Sequence, residues 1–263
     1  MDSILQCLAD FEAISLEETN QQAALLRRVD TKFVFSVERL PFLLQLWKQT
    51  HRALEVEGIR LSNYHSVYWD TPDLALYRAH HAGAASRIKL RLREYVESDL
   101  RFFEVKVRNN KGVTDKERKR LKESGPTDEL MNRYAQFDER HLKDQLLKVS
   151  LEVNYRRITL VPRTGTERVT IDLDLSYRVG EQTHSMGPMV VVEVKTDRSV
   201  RSGVLRQLKQ AGFRSGSISK YCLGILHLYP TVKRNRFKQP LRIINKQIRN
   251  HGPAADRNGS PES

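Results

Sequence analysis

The chain has 263 residues, of which 39% are apolar and 29% charged, with a formal net charge of +13. That length and apolar share suit one large domain with a real core, or a domain with a small satellite. No run approaches the roughly 20 apolar residues a membrane span requires, and Cys7 and Cys222 match no metal or redox spacing, so two reduced thiols are expected.

The acidic start, with Asp2, Asp10, Glu12, Glu17 and Glu18, has neither the basic region nor the apolar run of a signal peptide, so a cytoplasmic protein is expected. Residues 1–26 read as an amphipathic helical segment from about Ser3 to Leu26, with a turn near Ala13 to Ser15. Arg27 to Phe35 reads as a strand. Ser36 is placed to cap a helix running to Thr50, with Leu40, Leu43, Leu44 and Trp47 buried. Asn63 to Trp69 alternates as a strand, and Asp70-Thr71-Pro72 is a helix start, Asp70 serving as the cap. Strands are expected at Ser86–Val96 and Arg101–Arg108, joined by Glu97-Ser98-Asp99. The run Lys116 to Lys122 reads as partly solvated helix, and Pro126 to Lys148 as helix. Further strands are expected at Val149–Val161, Arg168–Ser176 and Met189–Thr196. A helix from Val200 to Ala211 ends at Gly212, and Ser219 to Leu228 is a strand or short helix. Residues 231–263 read as a basic, disordered tail.

In a strand, residues two apart share a face. Arg87, Lys89, Arg91 and Arg93 therefore share one face, opposite Ile88, Leu90 and Leu92. Glu104, Lys106 and Arg108 share another, as do Arg168, Thr170, Asp172 and Asp174. Arg28, Asp30 and Lys32 align, as do Tyr155 and Arg157, and Glu193 and Lys195. An ordinary antiparallel sheet with a solvated polar face also alternates. Here the polar faces are dominated by Arg and Lys, and four like charges along one face repel unless an anion neutralises them. Carboxylates are mixed in, and several helices are available to cover the apolar faces. The expected fold is α+β: a closed antiparallel β-barrel, helices packed outside and cations inside, gripping a phosphate chain.

These residues resemble a known family. Arg28-x-Asp30-x-Lys32, Tyr68-Trp69-Asp70-Thr71, Arg87-x-Lys89-x-Arg91-x-Arg93, Phe103-Glu104-x-Lys106, Lys116-x-Arg118, Tyr155-Arg156-Arg157, Arg168-x-Thr170-x-Asp172, Glu193-x-Lys195 and Ser219-Lys220-Tyr221 resemble the VTC domain. That domain is the polyphosphate polymerase branch of the triphosphate tunnel metalloenzymes, and the match spans residues 27–230. The resemblance implies an ATP-dependent polyphosphate polymerase with a divalent metal, manganese or magnesium. It implies that Lys32, Arg91, Arg93, Lys106, Arg157 and Arg168 act on the triphosphate. Arg28, Arg87, Lys89, Lys116, Arg118, Tyr155, Lys195, Ser219 and Lys220 would bind substrate, and Glu193 would hold the metal. Glu104 is a second metal candidate, although structural pairing is the commoner role for such a residue. Ser217 stands where the family tends to have another Lys, so one phosphate contact is missing. Arg28-x-Asp30-x-Lys32 departs from the Glu-x-Glu-x-Lys of the triphosphatase branch and favours the polymerase branch.

The alternatives are a triphosphatase of the same fold and a non-catalytic polyphosphate-binding domain. A nucleic-acid binder is not expected, because Ile88, Leu90 and Leu92 stand where stacking aromatics would be needed. The family often works beside a membrane protein that receives the product, which would place this chain at the inner face of a membrane. His65, His80, His81 and His184 show no metal-ligand spacing.

Overall fold

The structure, a computed structural model, describes residues 1–22, 28–110, 114–121, 146–197, 201–216 and 219–249, with Arg28, Thr114 and Arg249 described by backbone alone. In chain order the elements are α1 (Asp2–Ala9), β1 (Ala13–Ile14), α2 (Leu16–Gln21), β2 (Arg28–Ser36), α3 (Leu40–Trp47), β3 (His51–Leu54), β4 (Ser62–Asp70) and α4 (Ala75–Ala82). Then follow β5 (Arg87–Tyr95), β6 (Leu100–Arg108), β7 (Thr114–Leu121), β8 (Lys148–Pro162), β9 (Arg168–Val179), β10 (Gln182–Ser185) and β11 (Met189–Asp197). The chain continues through α5 (Gly203–Gln210), β12 (Ser215–Gly216), α6 (Lys220–Leu228) and α7 (Lys238–Arg249).

The strands form one large sheet in the order β12-β2-β11-β9-β8-β4-β5-β6-β7. The β-barrel expected from sequence is not closed by hydrogen bonds: among the described residues, no ladder joins β2 or β12 to β7. Groups on β2 and β6 instead face each other across a cavity, with Asp30 and Lys32 acting electrostatically on Lys106.

Two layers of side chains cover the sheet. On its outer face, α1, α3 and α5 bury Leu8, Leu44, Trp47 and Leu208 against Phe33, Ile158, Ile171 and Val192. Ile88, Leu90, Leu92 and Phe103 pack with Trp69, Leu76 and Leu147. The inner face is filled at one end by α6, whose Tyr221, Leu223 and Ile225 pack with Tyr68, Leu151, Val153, Tyr177 and Val191. Helices were expected outside the sheet, but α6 lies on the inner face as a plug. Gly224 permits this approach, because a Cβ there would lie 2.4 Å from Leu151 Cδ2 and 2.6 Å from Tyr177 Cδ1.

The first segment breaks near the expected turn at Ala13 to Ser15 into two helices with a two-residue strand between them, Ser15 making a capping box with Glu18. Ser36 makes no cap hydrogen bond; a 3-10 turn, Val37–Arg39, precedes α3. The helix start expected at Asp70-Thr71-Pro72 lies later, with Leu74 at the N-cap of α4 and Asp70 at the end of β4; the Asp70 carboxylate still accepts from the N–H groups of Leu76 at 2.8 Å and Tyr77 at 2.9 Å in the first turn. The run at Lys116, read as helix, is strand β7, because its backbone pairs along the whole of β6. The helix expected at Pro126–Lys148 lies outside the described residues apart from its end, where β8 begins at Lys148. The tail expected to be disordered from residue 231 instead contains α7, which buries Ile244 with the inner-face core.

Asp172 and Asp174 were expected on one face. A bulge between Asn154 and Arg156 of β8, with Asp174 at φ 52°, separates them. Asp172 is 1% exposed, while Asp174 faces out to pair with Arg156 at 2.5 Å.

Candidate functional site

The alternation of β2, β5, β6, β7, β8 and β11 carries polar side chains to one inner cavity of about 260 Å³. Lys32, Lys89, Arg91, Arg93, Lys106, Lys116, Arg157 and Lys195 line it, together with Glu104, Tyr155 and Glu193. Ser219 and Lys220 project from the start of α6. These are thirteen of the seventeen residues expected at the site.

Three carboxylates organise the cations. Glu104, 2% exposed, lies 2.5 Å from Arg91 Nε and 2.6 Å from Lys116 Nζ, with Arg93 and Arg118 each at 3.8 Å. Burial alone would raise its carboxyl, but Arg91 and Arg93 hold it well below the usual range. Asp172 accepts two hydrogen bonds from Arg157, at 2.6 and 2.9 Å, and another from Lys220. Burial again opposes, yet Arg157 and Lys220 hold Asp172 down at about 2. Glu193 accepts from Lys195 and lies 3.5 Å from Lys32. Those two ammonium groups lower its carboxyl against the opposing effect of burial.

Two cations lack such partners. Lys89 donates to Ser219 Oγ at 2.9 Å, and burial pushes its ammonium down to about 8. Lys106 is likewise lowered, by burial and then by Lys89, and has no hydrogen-bond or ion-pair partner among the described residues. The register sets these charges side by side. Lys89 stands directly opposite Lys106, and Lys106 directly opposite Lys116, so three lysines form a row across β5, β6 and β7. Like charges facing each other across strands destabilise a sheet.

An adjoining cavity of about 280 Å³ shares Arg93, Glu104, Lys116, Arg157 and Lys195 with the first. Arg118 and Arg168 line it, so these two expected site residues sit one step outward. Arg168 donates to the Thr19 carbonyl at 2.8 Å, tying α2 to this wall. Its apolar side, Tyr64, Tyr95 and Phe102, was not read from the sequence as part of a site. The signal was present in the β4 alternation, which puts Tyr64 on the face of Tyr68. Arg118 lies 3.5 Å over the Phe102 ring. Arg87 lines neither cavity; it stands opposite Arg108 at the end of β5. Arg28 lies on β2, and its side chain is outside the described residues.

The donor set bears on the metal expectation. Among the described residues, no group of three His, Cys, Asp or Glu side chains could hold an ion. Glu104 is saturated by cations and does not fit. Glu193 fits better: Lys195 Nζ sits between it and Asp30, 3.9 Å from the latter, so a cation position already exists beside two carboxylates. Such oxygens suit a hard divalent ion whose remaining ligands come from phosphate and water.

An antiparallel sheet whose inner face is lined with many cations and a few carboxylates defines a domain of the tunnel type. The VTC domain profile matches residues 27–229, and the chain belongs to that family. No curated protein matches the chain. Among solved structures, a candidate adenylate cyclase from Bacillus halodurans aligns at 13% identity and a TM-score of 0.50, covering 77% of this chain and 97% of that one. A candidate adenylate cyclase from Vibrio parahaemolyticus aligns at 13% identity, TM-score 0.46, covering 75% and 98%. A candidate adenylyl cyclase from Hippeastrum, described as having a dominant triphosphatase activity, aligns at 15% identity, TM-score 0.46, covering 76% and 96%.

Proposed function

We propose that the protein is a polyphosphate polymerase that transfers the γ-phosphoryl group of ATP to the end of an inorganic polyphosphate chain. The observation that carries this reading is the row Lys89, Lys106 and Lys116. Three facing lysines, two of them without a carboxylate, leave a local excess of positive charge that a phosphate chain neutralises. Phosphoryl transfer needs positioning and charge neutralisation more than covalent help.

In this reaction the bond from the γ-phosphorus to the β-phosphate breaks, a terminal oxygen of the chain bonds to that phosphorus, and ADP leaves. The attacking oxygen is already ionised, so no general base is required. Lys89, Lys106 and Lys32 screen the repulsion between the two anions. Arg91, Arg93 and Arg157 are held in place by Glu104 and Asp172 and present further donors to phosphate oxygens. Tyr155, Ser219 and Lys220 add contacts at the α6 end of the cavity. Glu193 is the residue that would hold a manganese or magnesium ion, and that ion would supply charge stabilisation at the bridging oxygens. Glu104 serves the arginines.

The test is the purified protein with ATP and manganese, its products separated on a polyphosphate gel. A ladder of lengthening chains with matching ADP is expected. Orthophosphate as the sole product would replace the polymerase with a triphosphatase.

A further inference from the structure

The positive charge of this protein has a second concentration outside its cavity. By sequence, residues 198–249 hold 13 Lys and Arg and no Asp or Glu, whereas residues 1–197 hold 31 against 30. Eight of those 31 line the cavity against Asp30, Glu104 and Glu193, so the remainder of residues 1–197 carries a small net negative charge. Outside the cavity, the excess therefore sits on residues 198–249, of which only Lys220 lines the cavity.

The fold gathers this excess around one edge of the sheet. Helix α5 lies on the outer face and exposes Arg206 and Lys209. Arg214 follows it, exposed, and its N–H donates to the side-chain oxygen of Gln247 on α7 at 2.9 Å. Helix α7 packs Ile244 inward and exposes Lys238, Arg242 and Lys246. These last three are four residues apart, so they lie on one face in a stripe about 12 Å long at 1.5 Å per residue. None of these six side chains has an acidic partner among the described residues.

An ordinary solvated face mixes both signs, as the first 197 residues do. Cations of one sign on two helices flanking the β12 edge, with Arg214 between them, are the footprint of a linear polyanion. We propose that the α5–Arg214–α7 face is a second polyphosphate site, which holds chain lying outside the cavity. This rests on the proposed function, since it takes the same polymer as its ligand. Aromatic side chains for base stacking are absent from the exposed positions of α7, which favours a bare phosphate chain over single-stranded nucleic acid.

The experiment measures equilibrium binding of long-chain polyphosphate and of tripolyphosphate to the full chain and to the variant Lys238→Gln/Arg242→Gln/Lys246→Gln. Wild-type protein is expected to bind the long chain more tightly. The variant is expected to lose about tenfold or more of that affinity, with a salt dependence of log K reduced by about 2, on the single-strand scale of ~0.7 per contact. Its affinity for tripolyphosphate and its melting temperature should be unchanged. A second variant, Arg206→Gln/Lys209→Gln, is expected to show the same selective loss and covers the case where the α7 variant does not fold. Unchanged long-chain affinity in both variants would overturn the proposal. So would loss of binding to phosphatidylserine vesicles or to single-stranded RNA while long-chain polyphosphate binding persists. If wild-type protein fails to bind tripolyphosphate, the cavity reading fails by itself, and the long-chain arm still reports on the outer face.

Discussion

Arg157 and Asp172 are joined side by side by two hydrogen bonds, at 2.6 and 2.9 Å, where the inner and outer cavities meet. Both are withdrawn from water, and Lys220 shares the same carboxylate. Removing the carboxylate leaves two cations uncompensated, so Asp172→Asn is expected to cost about 3–5 kcal/mol of folding stability in urea denaturation. The pH dependence follows from the depressed pKa. Asp172 contributes stability above its ordinary value of 3.8, and that contribution is lost as pH falls toward about 2. Acid unfolding of the variant should lack this component.

Lys89 gives an alkaline signature. Its ammonium is pushed down to about 8, so it loses its charge there in the free protein. Polyphosphate affinity, measured by calorimetry, is expected to hold steady below pH 8 and to fall above it. Binding near pH 8 should take up protons, because the anion favours the charged form. Lys89→Met should remove the inflection and weaken binding at neutral pH. An inflection that persists in the variant assigns it to another group.

Glu193 and Glu104 should separate by experiment. Glu193→Gln is expected to lower metal-dependent turnover by about 100-fold or more, with polyphosphate affinity retained or increased, since a negative charge leaves the cavity. Glu104→Gln is expected to lower the melting temperature with or without metal, because Arg91, Arg93, Lys116 and Arg118 lose their common partner.

Gly224→Ala tests the plug. The added methyl meets Leu151 and Tyr177 in a filled core, so α6 must shift, at a cost of about 1–3 kcal/mol. Ser219 and Lys220 move with the helix, and polyphosphate affinity should fall alongside melting temperature.

The period-two pattern made most of the cavity legible. Arg87 to Arg93 and Glu104 to Arg108 declare their faces because aliphatic residues alternate with them. Where that contrast was missing, the reading failed. The segment Lys116 to Lys122 has charges on both sides of the chain, so nothing marked it as β7; the ladder with β6 decides it. The bulge at Asn154–Arg156 carries no compositional mark, so Asp174 was assigned to the wrong face. Helix α7 was obscured by its charge, although Leu241, Ile244 and Ile248 lie at helical spacing. Whether β2 and β7 would meet depends on the curvature of nine strands together, which no local pattern encodes.

The open seam between β2 and β7 has a mechanical consequence. A barrel sealed by ladders on every side has a bore fixed by its backbone. Here Lys32 of β2 and Lys106 of β6 face each other across a joint that, among the described residues, no backbone ladder fastens, so the bore can change without breaking a ladder. An anion held between Lys32 and Lys106 would tie the two edges, standing in for the missing ladder.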